Sequence, residues 1–329
     1  GSGIPRIDFS DDANGALLLE PTVTNLIVHS EDFDQRIKTN ITINSNVVAS
    51  PRGGIDASRI NFNTASSSFF RFVSSSGDPD GKTYIYSIYL KADSSTSVTI
   101  GILGSGAGLG YITKTVNLTN EWQRFDVSSS FVGTGDNVRV RVLGTEIGSV
   151  FAWGSQLEEN SYATSYIKTI GTAQTRVADT ASDAGNSTVI NSTEGTLYGE
   201  FSNTENDISD NRINLSDGTA INWVFIGKEG ANVRAYLRAN NLTLLSNQTT
   251  PLASINRVAL SYKSGNIKVY INGVQIISLT DAFSFTAPLN QMNFGYYNGG
   301  ATTTKASWKS VQVYTTALSD AELTSLTTI

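Results

Sequence analysis

The sequence predicts an all-β chain made of two antiparallel β-sandwiches in series, and three observations predict it. Short alternating segments rich in Val, Ile, Tyr, Phe and Thr recur throughout, separated by Gly, Asn, Asp and Ser clusters. Helix signals are almost absent. At roughly 150 residues per domain, the 329 residues allow two cores.

Residues 1–29 read as a lead-in segment packed against the first sandwich, in which Leu26-Ile27-Val28 runs into His29 at a strand end. The first sandwich is assigned to residues 30–170. Its strongest strand is Thr83 to Lys91, TYIYSIYLK, in which Tyr84, Tyr86, Ile88 and Leu90 share one face by the period of two. Further strands are expected at 97–103, 112–118, 122–127, 137–143 and 149–157. Gly104-Ser105-Gly106, Asn120 and Gly133-Thr134-Gly135-Asp136 supply turns between them. Residues 171–190 have small polar side chains and little apolar periodicity, and so read as a connector.

The second sandwich is assigned to residues 191–329. TLYGEFS, NRINLSDG, NWVFIGKE and VRAYLRA are strand-like, and Arg257 to Ile276 reads as two hairpins. Ser264-Gly265-Asn266 turns the first, and Asn272-Gly273, tolerant of positive φ, turns the second. Near the C-terminus Ser319 and Glu322 have the spacing of a capping box, which predicts a short helix or turn after the last strand.

Composition excludes several functions. With 23 basic against 29 acidic residues, a net charge of -6 and no run of Lys or Arg, the chain lacks the basic face that nucleic acid or an anionic membrane requires. There is no cysteine, hence no disulfide, thiolate nucleophile or zinc cluster, and any Ser-His-Asp triad must use the single histidine, His29. No apolar run approaches the ~18 residues that span a bilayer, so membrane insertion is not expected. No signal peptide is evident, which fits a protein released from its cell by lysis and fits an excised fragment equally.

Three segments carry a family resemblance. PRIDFSDDANGALLLEPTVTNLIVHSEDF, Pro5 to Phe33, resembles a lead-in widespread in phage fibre and tail proteins, with Thr22-Val23 where Gln-Arg is usual. VFAWGSQLEENSYATSYIKT, Val150 to Thr169, resembles the closing strand of a jelly roll similar to carbohydrate-binding modules. YKSGNIKVYINGVQI together with VQVYTTALSDAEL resembles laminin-G-like, concanavalin-A-like sandwiches. The resemblance implies a jelly roll followed by a laminin-G-like domain in a phage receptor-binding protein. It further implies location in the virion tail, a cell-surface glycan and other tail proteins as partners, and a homotrimer.

Saccharide binding needs flat aromatic surfaces for pyranose rings and planar polar groups for hydroxyls. Tyr296, Tyr297 and Asn298, in the glycine-flanked loop GYYNGG, are the leading candidates, beside the alternative of an ordinary strand-end turn. Trp223, Tyr236 and Arg238 could line one face of the second sandwich or form a solvated edge. Arg139 and Arg141 face the same way and, like Arg71 beside its phenylalanines, suit either a polar groove floor or a salt-bridged outer face. Trp122, Trp153 and Trp308 read as packing residues. Glu205-Asn206-Asp207-Ile208-Ser209-Asp210 resembles the acidic strand of laminarinase-type glycosidases, which need two carboxyls about 5 to 5.5 Å apart. Its apolar anchors are missing, however, and a polar loop fits better. Asp207, Asp210 and Asn211 offer oxygen ligands for calcium without the recognised loop spacing, so no cofactor is predicted.

The reading is therefore non-catalytic attachment to a glycan. The alternatives are a targeting module or weak glycosidase of a polysaccharide-degrading system, and a structural virion spacer.

Overall fold

The computed structural model describes residues 6–9, 13–74, 77–106, 110–202, 210–298 and 306–329. The described residues are all-β apart from a 3-10 turn at Phe33–Gln35 and one short C-terminal helix. Two compact units divide the chain: Val23–Arg176, and Gly1–Thr22 together with Val177–Ile329.

The chain opens on an antiparallel pair, β1 (Arg6–Asp8) and β2 (Ala16–Leu19). The lead-in is divided: Leu26 and Ile27 pack in the first sandwich as expected, whereas this pair belongs to the other unit. Leu17, Leu18 and Leu19 register against Trp308, Ser307 and Ala306 near the other end of the sequence. Burial explains the choice, because Leu19 joins the core that contains Leu197, Phe201 and Trp308. Polar groups fix the same junction. The Arg6 guanidinium pairs with both Glu20 and Asp179, and the Asp179 amide donates to the Glu20 carbonyl at 2.9 Å.

The unit 23–176 begins with β3 (Val23–Asn25), β4 (Ile37–Thr39), β5 (Ile41–Ala49), β6 (Ile55–Phe62) and β7 (Ser68–Val73). It continues through β8 (Thr83–Lys91), β9 (Thr96–Ser105), β10 (Tyr111–Leu118), β11 (Gln123–Ser130), β12 (Asn137–Gly144), β13 (Gly148–Glu158) and β14 (Gln174–Arg176). One sheet runs β10-β9-β12-β7-β4 and the other β11-β8-β13-β6-β5. Tyr84, Tyr86, Ile88 and Leu90 fill the core as the period of two demands, against Ile60, Ile100 and Val140. Among the described residues of this unit, the side chains of Arg36 and Glu158 are buried. Arg36 donates to the His29 carbonyl at 2.8 Å, and burial pushes its guanidinium down to about 10. Glu158 accepts from the Thr164 amide at 3.1 Å and from its hydroxyl, and burial pushes its carboxyl above the usual range.

The remaining unit contains β15 (Ala181–Ala184), β16 (Glu194–Ser202), β17 (Asn211–Ser216), β18 (Trp223–Glu229), β19 (Asn232–Ala239) and β20 (Leu242–Pro251). After these come β21 (Ile255–Lys263), β22 (Asn266–Ile271), β23 (Val274–Leu279), β24 (Gln291–Phe294), β25 (Ala306–Tyr314) and α1 (Asp320–Thr327). A seven-stranded sheet, β1-β2-β25-β16-β21-β22-β23, faces a six-stranded one, β15-β24-β17-β18-β19-β20. The expected connector is partly ordered into sheets, since β14 pairs with β3 and β15 with β24. Both predicted hairpin turns form, with Asn272 and Gly273 at φ 49° and 81°. The predicted capping box at Ser319 and Glu322 starts α1, which buries Leu323 against Tyr198, Ala259 and Tyr270.

Candidate functional site

The six-stranded sheet has two chemically distinct faces. Val224, Ile226, Val233, Ala235 and Leu237 point into the core. The residues alternating with them, Trp223 and Phe225 on β18 and Arg234, Tyr236 and Arg238 on β19, lie on the opposite face. Trp223 is 8% exposed and Phe225 only 2%, yet neither belongs to the inter-sheet core. They are covered by one another and by their neighbours. Phe225 and Tyr236 are stacked, Trp223 lies 4.7 Å from Phe225 and 5.1 Å from Tyr236, and Tyr297 meets Trp223 edge-on at 5.3 Å.

Cations roof this aromatic patch. The Arg212 guanidinium carbon stands 4.9 Å from the centre of Phe225 and 5.5 Å from that of Tyr296, and Arg234 stands 5.7 Å from Tyr236. Their charges are matched by carboxylates. Arg212 pairs with Asp210 and Glu229, and Glu229 also pairs with Arg234. Four charged side chains are thus held in place before any ligand arrives.

The loop that carries Tyr296 and Tyr297 is tied down from below. Asn214 donates to the carbonyls of Asn293 and Gly295, and both Ser216 and Asn293 donate to the carbonyl of Tyr297. Gly295, at φ 110°, adopts a backbone that other residues resist, and its amide donates to the Arg212 carbonyl. Among the described residues, the buried Nε1 of Trp223 and Oδ1 of Asn214 have no hydrogen-bond partner.

The structure therefore brings Trp223, Tyr236 and Tyr297 into contact and links Tyr296 to them through Arg212. Arg238 registers opposite Trp223 and donates to Asn241 at 2.6 Å, while Asn298 is exposed beyond the tyrosines. Sequence reasoning missed Phe225, Arg212, Arg234 and Glu229. Phe225 and Arg234 could have been found from the period of two, each lying two residues from a chosen aromatic on the same face.

Other candidates fall elsewhere. Glu205 and Asp207 lie outside the described residues. Of the proposed calcium ligands, the Asp210 carboxylate is taken by Arg212 and the Asn211 side-chain oxygen by the Trp308 indole at 3.0 Å. Trp308 is a core residue, and Trp122 donates to the Ala49 carbonyl. Trp153 is buried outside the inter-sheet core, between Tyr89 and Tyr166.

Residues 186–324 match the laminin-G-type family model of the concanavalin A-like lectin/glucanases superfamily. All of the aromatic patch lies within this concanavalin A-like region. No curated protein matches the chain. Among solved structures, the CBM40 module of the Ruminococcus gnavus IT-sialidase bound to α2,3-sialyllactose is similar at 24% identity and a TM-score of 0.38. That match covers 45% of this chain and 94% of the module. Domain 4 of AbnA, a GH43 extracellular arabinanase from Geobacillus stearothermophilus in complex with arabinotriose, matches at 18% identity and a TM-score of 0.36, over 47% and 73% of the two chains. Mouse laminin α1 domains LG4-5 match at 12% identity and a TM-score of 0.29, over 78% and 88%.

Proposed function

We propose that the chain holds a saccharide on the outer face of the six-stranded sheet, without breaking a bond. The observation that carries this reading is the convergence of Trp223, Phe225, Tyr236 and Tyr297 on a face turned away from the core, framed by Arg212, Arg234 and Arg238. Aromatic rings offer area to the apolar face of a pyranose, and guanidiniums and carboxylates offer directed hydrogen bonds to its hydroxyls. Because ion pairs already fix Arg212 and Arg234, little side-chain freedom is lost on binding.

The resemblance of Pro5 to Phe33 to phage tail proteins supports placing this activity in a virion tail, where the chain contacts a host-surface glycan. A homotrimer in contact with other tail proteins would multiply weak single sites into avid attachment. A glycan array with the intact protein tests the reading. Retention of a defined set of glycans that are recovered uncleaved is expected. Absence of binding to any glycan and to intact cells would favour a spacer, and turnover of a bound polysaccharide would favour a glycosidase.

A further inference from the structure

The other sandwich carries an arginine cluster with no acidic counterpart among the described residues. On the outer face of the sheet β10-β9-β12-β7-β4, Arg141 registers directly opposite Arg71, and Arg139 lies two residues from Arg141 on the same strand. The three line a pocket of about 140 Å³ with Leu103, Val140 and Tyr111. Like charges on directly paired strands repel, and a carboxylate between them is the usual remedy. Here none of the three arginines forms an ion pair among the described residues. The salt-bridged outer face that the sequence allowed is not what forms.

The arginines are nevertheless positioned. Arg141 lies over the Tyr111 ring, its guanidinium carbon 4.3 Å from the centroid, bonds the Tyr111 hydroxyl through Nε, and approaches Phe69 at 5.5 Å. Gly101 makes this possible, since a side chain there would collide with the Tyr111 ring. Arg139 is held by Ser105 at 2.7 Å and by Asn137 at 3.3 Å. The Arg71 side chain makes no hydrogen bond among the described residues, and its Nε is buried without a partner. A preset cationic pocket with an aromatic and aliphatic wall has the chemistry to receive a planar anion attached to a sugar ring.

We infer that this pocket binds the carboxylate of an acidic saccharide, a uronic acid being the simplest, with Arg71 and Arg141 gripping the anion and Tyr111 meeting the ring. The site is independent of the aromatic patch in the concanavalin A-like region. Calorimetric titration of the intact protein with glucuronate, glucose, glucose 6-sulfate and inorganic sulfate tests it. Glucuronate should bind, more weakly as ionic strength rises, and glucose should not bind at this site. Arg71→Gln and Arg141→Gln should each weaken glucuronate by about tenfold or more, as expected for loss of a charge-assisted hydrogen bond. Arg71→Gln removes no intramolecular bond, so its melting temperature should stay near that of the parent, and a loss of binding then reads on the site. Equal binding of glucose and glucuronate, or unchanged affinity in both arginine variants, would overturn the assignment. Tighter binding of glucose 6-sulfate or of free sulfate would overturn the carboxylate as the ligand.

Discussion

The rings of Phe225 and Tyr236 lie on neighbouring strands with centroids 5.0 Å apart and planes 13° from parallel. This stack sits on the sheet face turned away from the core, where alternation ordinarily places polar residues. Phe225 is the buried member of the pair and supports Tyr236, which keeps part of its ring exposed.

Tyr297→Ala should lower glycan affinity by about tenfold, equivalent to ~1.4 kcal/mol, and leave the melting temperature within a few degrees. The loop depends on the Tyr297 carbonyl, which the substitution retains, more than on its ring. Titration with a glycan identified on the array, alongside thermal unfolding, checks both halves. Equal affinity in the variant removes Tyr297 from the site.

Gly227→Ala should destabilise the second unit by roughly 1–3 kcal/mol, as overpacking does. Gly227 is at φ 155° directly opposite Arg212, and an added Cβ would strike the Asn211 carbonyl and approach the Arg212 Cα at 2.8 Å. Because Arg212 roofs the aromatic patch, binding should fall as well. Chemical denaturation measures the first effect, and a variant as stable as its parent would contradict the account.

Glu158→Gln should flatten the pH dependence of stability. Burial raises the folded-state pKa of Glu158, so the folded chain holds that proton more tightly than the unfolded chain. Its contribution is full below the ordinary glutamate value and is lost as pH rises through the raised one. The amide can still accept from the Thr164 backbone and donate to its hydroxyl. Urea midpoints at about pH 4 and about pH 7 should therefore differ less in the variant than in the parent. An identical difference in both would exclude Glu158 as the titrating group.

Deleting residues 1–19 should expose the edge of β25 and strip cover from Trp308, since β2 is the strand that pairs there. An uncovered edge invites pairing between chains. Loss of stability together with concentration-dependent association, read by light scattering, is expected. A fully monomeric and equally stable truncation would contradict it.

The second unit was largely legible because its signals are local. Asn272-Gly273 specifies a turn, Ser319 with Glu322 specifies a helix start, and the alternation in NWVFIGKE and VRAYLRA specifies two-faced strands. The strands β4 to β7 were not picked out individually. In β5 the segment ITINSNVVA alternates irregularly, and the structure shows why, with register shifts after Asn44 and around Val48. The partner of the lead-in was also hidden, because the pairing of Leu17 with Trp308 is a contact between distant parts of the chain. Of the candidate site, Trp223, Tyr236, Tyr296 and Tyr297 were readable by type, but Phe225 and Arg212 were not picked out. The importance of Arg212 comes from lying between Phe225 and Tyr296, which are brought together only by folding.

The junction of Arg6, Glu20 and Asp179 has a topological corollary. Residues 23–176 leave and rejoin the chain beside a hydrogen-bonded neck, so the covalent path through them is bridged by the β2–β25 ladder. Removal of residues 23–176 would therefore leave both ends of the cut, Thr22 and Val177, in one unit beside the Glu20–Asp179 contact.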